Sequence, residues 1–373
     1  MLLDLGVMRV HHSINTHFFY FFMTDVKQLI DDPSYLAYKF DFTTESIEFL
    51  SLADGDLSRS TWLTREELSS DASSISVPLL EVVKVINSRP GKVHKPPCFI
   101  FHTAYCASTF ASRCLAVKGY SVSLREPQLL LDAANAKRFQ WRSQTCNIDY
   151  RHLPSLALKL LQKHAEPNET LIIKPINSVN NIIAELLQAS GSSKALMLYT
   201  DARNFMLSTL NKGEAAKQRQ RAMFDLLRYD FTHLSKLGVS DAIHLSDLKI
   251  SLTLWRLQLE QAEQGLARFS PSGAMMSMYG ETLIKQPSEA LQAVNQFLQL
   301  GISDETIKQV ALGDLSMRDA KDSSSRFSIS SRDANYRKVE DFHRTDLDNG
   351  YKWLTNNNPS TSLTPELSAC LEF

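Results

Sequence analysis

From residue 98 onward the chain alternates two kinds of patterned segment. Four short strand-like stretches are 98–102 (CFIFH), 120–124 (YSVSL), 171–174 (LIIK) and 195–199 (ALMLY). Between them, segments 108–117, 128–140, 153–164 and 179–188 carry apolar residues at helical spacing. Strand and helix in turn, with short connections, predict a parallel sheet covered by helices, an α/β fold. Ligands of such sheets gather at the carboxyl ends of the strands. Those ends fall at residues 102–108, 125–127, 174–177 and 200–208.

The flanking regions are more polar. YKFDF at 38–42 and SIEFLSL at 46–52 alternate apolar and polar positions, as half-buried strands do. Residues 63–70 predict a short helix, because Thr64 and Glu67 make a capping-box pair. The Pro-rich stretch 89–97 (RPGKVHKPP) is read as a linker. It divides an N-terminal α/β extension, 1–95, from a main domain, 96–373. Residues 1–22 join poorly to the segment after them, and Met23-Thr24-Asp25 resembles a natural beginning, so 1–22 are read as a leader or upstream start. After 200 the pattern predicts a long helix at 245–269 around Trp255, a strand at 274–279 and a helix at 287–300. A Ser-rich basic loop at 321–332 and a polar helix at 335–354 come next.

Composition narrows the function classes. The chain is 43% hydrophobic, enough for a sizeable core. It carries 40 basic and 41 acidic side chains, net −1, which argues against general binding to nucleic acid or to an anionic membrane. No run approaches the ~20 apolar residues a membrane helix needs. The five cysteines are scattered, with no C-x-x-C pair, which fits a reduced, cytoplasmic protein. Isolated histidines such as His102 and His164 show no metal spacing, so no metal is expected.

The chemistry concentrates after the first main strand. The loop 103–109 (TAYCAST) joins that strand to a helix, a geometry that aims backbone N–H groups at an anion. It is not a Walker A loop, since it lacks glycines and a lysine. Ser108 and Thr109 either face a phosphate or simply cap the helix. Glu126-Pro127 ends the next strand, offering a general base or merely a helix-start carboxylate. Lys174 ends the third, positioned to stabilise transferred charge or lying on the rim. The basic run at 212–228, with Lys212, Lys217, Arg219, Arg221 and Arg228, attracts an anion or is a solvated face.

The loop resembles the 5′-phosphosulfate-binding loop of the P-loop sulfotransferase superfamily, [KR]-S-G-[ST]-T followed by an apolar residue. Cys106, Ala107, Ser108, Thr109 and Phe110 fit it with two changes, and the basic position falls on Tyr105. The family's 3′-phosphate segment, a basic residue with Ser eight positions on, resembles YTDARNFMLS. Ser208 holds the serine position, Thr200 stands at the basic one, and Arg203 is the candidate replacement. Glu126-Pro127 is similar to the Glu-Pro of carbohydrate sulfotransferases, and YGETLIKQP, 279–287, to a late family segment. Lys321, Arg326 and Arg332 lie where the family places a mobile basic segment over the nucleotide.

The resemblance implies transfer of a sulfuryl group from 3′-phosphoadenosine 5′-phosphosulfate to a small-molecule or glycan acceptor. Glu126, Lys174 and His102 are then the catalytic candidates. Two rivals stand beside it. One is a P-loop kinase or hydrolase, disfavoured by the missing loop lysine. The other is a non-catalytic binding descendant, favoured by the missing charges at Tyr105 and Thr200.

Overall fold

The computed structural model describes residues 26–68, 73–88, 94–139, 149–231, 234, 244–313 and 328–372. Three strands, β1 (Tyr35–Asp41), β2 (Ser46–Ser51) and β3 (Ser74–Pro78), form an antiparallel sheet in chain order. Five more make a parallel sheet: β4 (Cys98–His102), β5 (Ser121–Arg125), β6 (Thr170–Lys174), β7 (Ala195–Tyr199) and β8 (Met275–Tyr279). Their order is β5-β6-β4-β7-β8, every pairing parallel. Helices flank this sheet, so the α/β layout expected from the alternating pattern is what the chain adopts.

All residues of β4, β6 and β7 are buried, as strands covered on both faces must be. The helix Asp247–Phe269 lies against the sheet with Trp255 wholly buried, its Nε1 donating to the Thr200 carbonyl at 2.9 Å. The chain crosses from β4 to β5 on one side, and the connection from β6 passes over β4 to β7 on the other. The strand order therefore reverses beside β4, which opens a crevice at its carboxyl end.

Several elements differ from the sequence expectation. Over 63–68 the chain makes one turn on the Thr64 carbonyl, and the expected helix is absent from these described residues. Glu67 instead accepts the backbone N–H groups of Thr61 and Trp62, which fixes a turn rather than a helix. Strand β3, the helix Leu79–Asn87 and the helix Asp304–Leu312 were not anticipated. The polar helix begins earlier than expected, running Ile329–Asn357 from a Ser328 cap, so Arg332 is helical and not in a loop. Lys321 and Arg326, and the segment 1–22, lie outside the described residues.

Candidate active site

The carboxyl ends of the strands converge on one cavity of about 790 Å³. Its wall on the β4 side is the loop itself, His102 and residues 104–110. The loop is held in an unusual backbone. Ala104, Tyr105 and Ala107 have φ of 41°, 55° and 60°, and Glu126, across the cavity, has 56°. Left-handed φ in non-glycine residues is costly and persists where the surroundings over-determine it. Here the fixing contacts are visible. Thr103 N–H donates to the Leu198 carbonyl, and its hydroxyl accepts the Thr200 N–H at 3.2 Å. A Cβ on Gly280 would lie 2.6 Å from the Cys106 carbonyl oxygen, so the start of the helix Gly280–Lys285 presses directly on the loop backbone.

Ala107 is the N-cap of the helix Ser108–Cys114 and no side chain caps it. The amides of Ser108, Thr109 and Phe110 are those that a helix leaves without an intrahelical acceptor. All three residues line the cavity.

His102 lines the cavity, and backbone groups engage its ring. Its Nδ1 accepts the Ala104 N–H at 3.3 Å, which leaves Nε2 to donate to the Pro175 carbonyl at 3.1 Å. Both ring nitrogens thus contact the backbone around the loop.

Glu126 and Lys174 meet inside the cavity. Parallel register sets Arg125 beside Lys174, and Glu126 N–H donates to the Lys174 carbonyl at 2.6 Å. Lys174 Nζ lies 2.5 Å from Glu126 Oε1, with the lysine 1% and the glutamate 19% exposed. A buried ammonium needs such a partner. The pair presents a carboxylate and a cation side by side facing the open volume.

Ser208 also lines the cavity, buried, with its Oγ hydrogen-bonded to the Tyr336 hydroxyl of the helix Ile329–Asn357. Arg203 does not join it. Its guanidinium forms a two-point ion pair with Glu340 and borders a smaller neighbouring pocket of about 250 Å³. Thr200 is buried and serves only the core around Thr103 and Trp255. Arg332 reaches both pockets but is engaged by Glu281 through both Nη atoms, at 2.9 and 2.7 Å.

Two cations join the site from the stretch after Ser208. Lys212 and Arg219 line the cavity, and Lys212 Nζ lies 5.9 Å from the Tyr105 ring centroid. Tyr105 stands where a loop cation was expected. Its ring is wedged edge-on to Phe205 at 5.3 Å, and its hydroxyl accepts from Gln220 at 3.2 Å. Beside Lys174, positive charge thus comes from Lys212, which caps the helix Ala202–Asn211, and from Arg219 on the helix Glu214–Leu227, rather than from the loop. The available signal was the position of the basic run directly after Ser208.

Among the described residues no group of three or more His, Cys, Asp or Glu is arranged to hold a metal. None of their helices is long and apolar enough to cross a membrane. Cys98, Cys106 and Cys114 are buried and outside any disulfide, and burial pushes Cys98 up to about 11 and Cys114 up to about 12.

No family model and no curated protein matches the chain. Among solved structures it is similar to the sulfotransferase domain from the curacin biosynthetic pathway, at 14% identity over 73% of this chain and 99% of that one, TM-score 0.41. It is similar to sulfotransferase STF9 from Mycobacterium avium at 11% identity over 69% and 78%, TM-score 0.37. It is also similar to retinol dehydratase in a complex with retinol and PAP, at 13% identity over 92% and 96%, TM-score 0.36. At identities and scores this low, the functional reading rests on the residues of the cavity.

Proposed function

We propose that the protein is a sulfotransferase. It transfers a sulfuryl group from 3′-phosphoadenosine 5′-phosphosulfate, held as co-substrate, to a hydroxyl or amine of a small-molecule or glycan acceptor. The observation that carries this reading is the shared cavity. The left-handed loop after β4, a Lys–Glu pair and two further cations, Lys212 and Arg219, open into the same volume.

The cavity residues fit the co-substrate. Ser108, Thr109 and the neighbouring amides would hold its 5′-phosphate, Ser208 its 3′-phosphate, and Lys212 and Arg219 would balance the charge. When bound, it supplies an activated sulfuryl group whose leaving group is the nucleotide bisphosphate. Glu126 takes the acceptor proton as the acceptor oxygen attacks sulfur. The new S–O bond forms as the bond to the phosphate breaks. Lys174 stands beside the charge that develops on the sulfuryl oxygens. Catalysis is then mainly positioning and charge stabilisation.

The rival is a binding protein of the same layout. The observation in its favour is that Arg203 and Arg332 are each neutralised by a glutamate, leaving fewer cations for a nucleotide. Thermal unfolding with adenosine 3′,5′-bisphosphate, with ATP and Mg²⁺, and with no ligand tests the nucleotide half. A ligand at 100 times its Kd adds about 2.7 kcal/mol. Stabilisation by the bisphosphate alone is expected. Stabilisation only by ATP and Mg²⁺ contradicts the reading. Bisphosphate binding without any transfer assigns the protein to the rival.

A further inference from the structure

The N-terminal unit is not a bystander to the cavity. Arg125, the buried last residue of β5, grips it. Its carbonyl accepts the Leu63 N–H at 2.9 Å. Its Nη2 donates to the carbonyls of Leu57 at 2.7 Å and Ser60 at 2.6 Å, and Nε donates to Ser60 at 3.2 Å. The next residue in the chain is Glu126. Leu63 is 1% exposed and anchors the segment in the core. Its neighbours Trp62 and Thr64 both line the cavity, and Glu67 holds the Trp62 N–H at 3.0 Å.

The sheet order separates the two halves of the cavity. Ser208 and Arg332 approach from the β7 and β8 side, where the nucleotide is assigned. Trp62, Glu126, Lys174 and Ile176 lie on the β5 and β6 side. Met223 adds a further apolar side chain to the lining.

We infer that residues 60–64 form the acceptor wall. Trp62 contacts the acceptor, a hydroxyl compound with a flat apolar body, and Arg125 is the positioning residue that holds this wall in register with Glu126. This rests on the sulfotransferase reading and narrows its acceptor. An indole face packs flat against a ring, and the apolar side chains of Ile176 and Met223 in the same lining favour an apolar ring over a polyhydroxylated one. Arginine is needed at 125 because lysine has no fork of donors to span several carbonyls.

Calorimetric binding of 2-naphthol and of glucosamine, each with and without adenosine 3′,5′-bisphosphate, tests the inference. Wild type is expected to bind 2-naphthol and not glucosamine. Trp62→Ala should weaken 2-naphthol about tenfold, with the bisphosphate Kd unchanged. Trp62→Phe should retain most of the affinity. Arg125→Met should weaken 2-naphthol, expose 57–64 to limited proteolysis and spare the bisphosphate, with Arg125→Lys restoring only part. Glucosamine binding in place of 2-naphthol, or 2-naphthol binding indifferent to Trp62→Ala and Trp62→Phe, overturns the inference. Failure to bind the bisphosphate at all instead strikes the sulfotransferase reading, because 2-naphthol is also measured on the protein alone.

Discussion

At the scale of single residues, the site depends on close backbone contacts more than on loop composition. Gly280 is the clearest case. Any side chain there must displace the Cys106 backbone, which no rotamer change relieves. Gly280→Ala is therefore expected to weaken bisphosphate binding about tenfold or more while costing about 1–3 kcal/mol of stability. Calorimetry beside thermal unfolding checks this, and binding left intact would mean that the loop is not the anion site. Lys212 carries a second expectation. Lys212→Ala should weaken bisphosphate binding by about 1 kcal/mol and flatten its dependence on salt. The same change at Arg203, already paired with Glu340, should leave binding unaltered.

The element scale shows how the small sheet is tied to the large one. The helix Gln128–Arg138 comes directly after Glu126-Pro127, and Asp132 on it accepts the Phe40 N–H of β1 at 2.9 Å. Burial pushes the Asp132 carboxyl from 3.8 up to about 6. A carboxyl with a raised folded pKa binds its proton more tightly when folded. Its contribution favours folding at low pH and fades as pH rises through about 6. Asp132→Asn keeps an acceptor for Phe40 and removes this dependence. Relative to wild type, the variant should gain thermal stability between about pH 5 and about pH 7.5. A constant difference across that range would contradict the assignment.

The same scale explains what was legible. Strands β4 and β7 were read residue for residue, because buried parallel strands are compact apolar runs bounded by turns. Strand β3, SISVP, has four exposed residues of five and gives no such signal. Over the described residues 63–68 the expected helix does not form because Glu67 turns back on Thr61 and Trp62, a choice that local capping rules cannot see. Glu126 and Lys174 were each readable as strand ends. Their meeting required the β5–β6 register. Arg203 was placed by motif spacing, and its helix turned it toward Glu340 instead.

Across the whole molecule, the cavity is assembled from distant stretches of chain. Trp62 comes from the stretch between β2 and β3, the loop from the end of β4, the Lys–Glu pair from the ends of β5 and β6, and Ser208 and Arg332 from later helices. Residues beyond β8 return to finish the sheet, with Ser277 bridging in parallel to Cys370 and so covering the edge of β8. The proposed two-substrate transfer site uses the left-handed loop, the paired carboxylate and Trp62 together, all of which line one cavity. The most direct test is transfer of labelled sulfate from 3′-phosphoadenosine 5′-phosphosulfate into 2-naphthol and into a pool of small molecules and glycans. Wild type and Glu126→Gln are compared, with bisphosphate affinity measured alongside. The account predicts a wild-type product whose formation falls at least about a hundredfold in Glu126→Gln, with affinity preserved. No product from wild type with any acceptor, or a product formed equally well by Glu126→Gln, would contradict it.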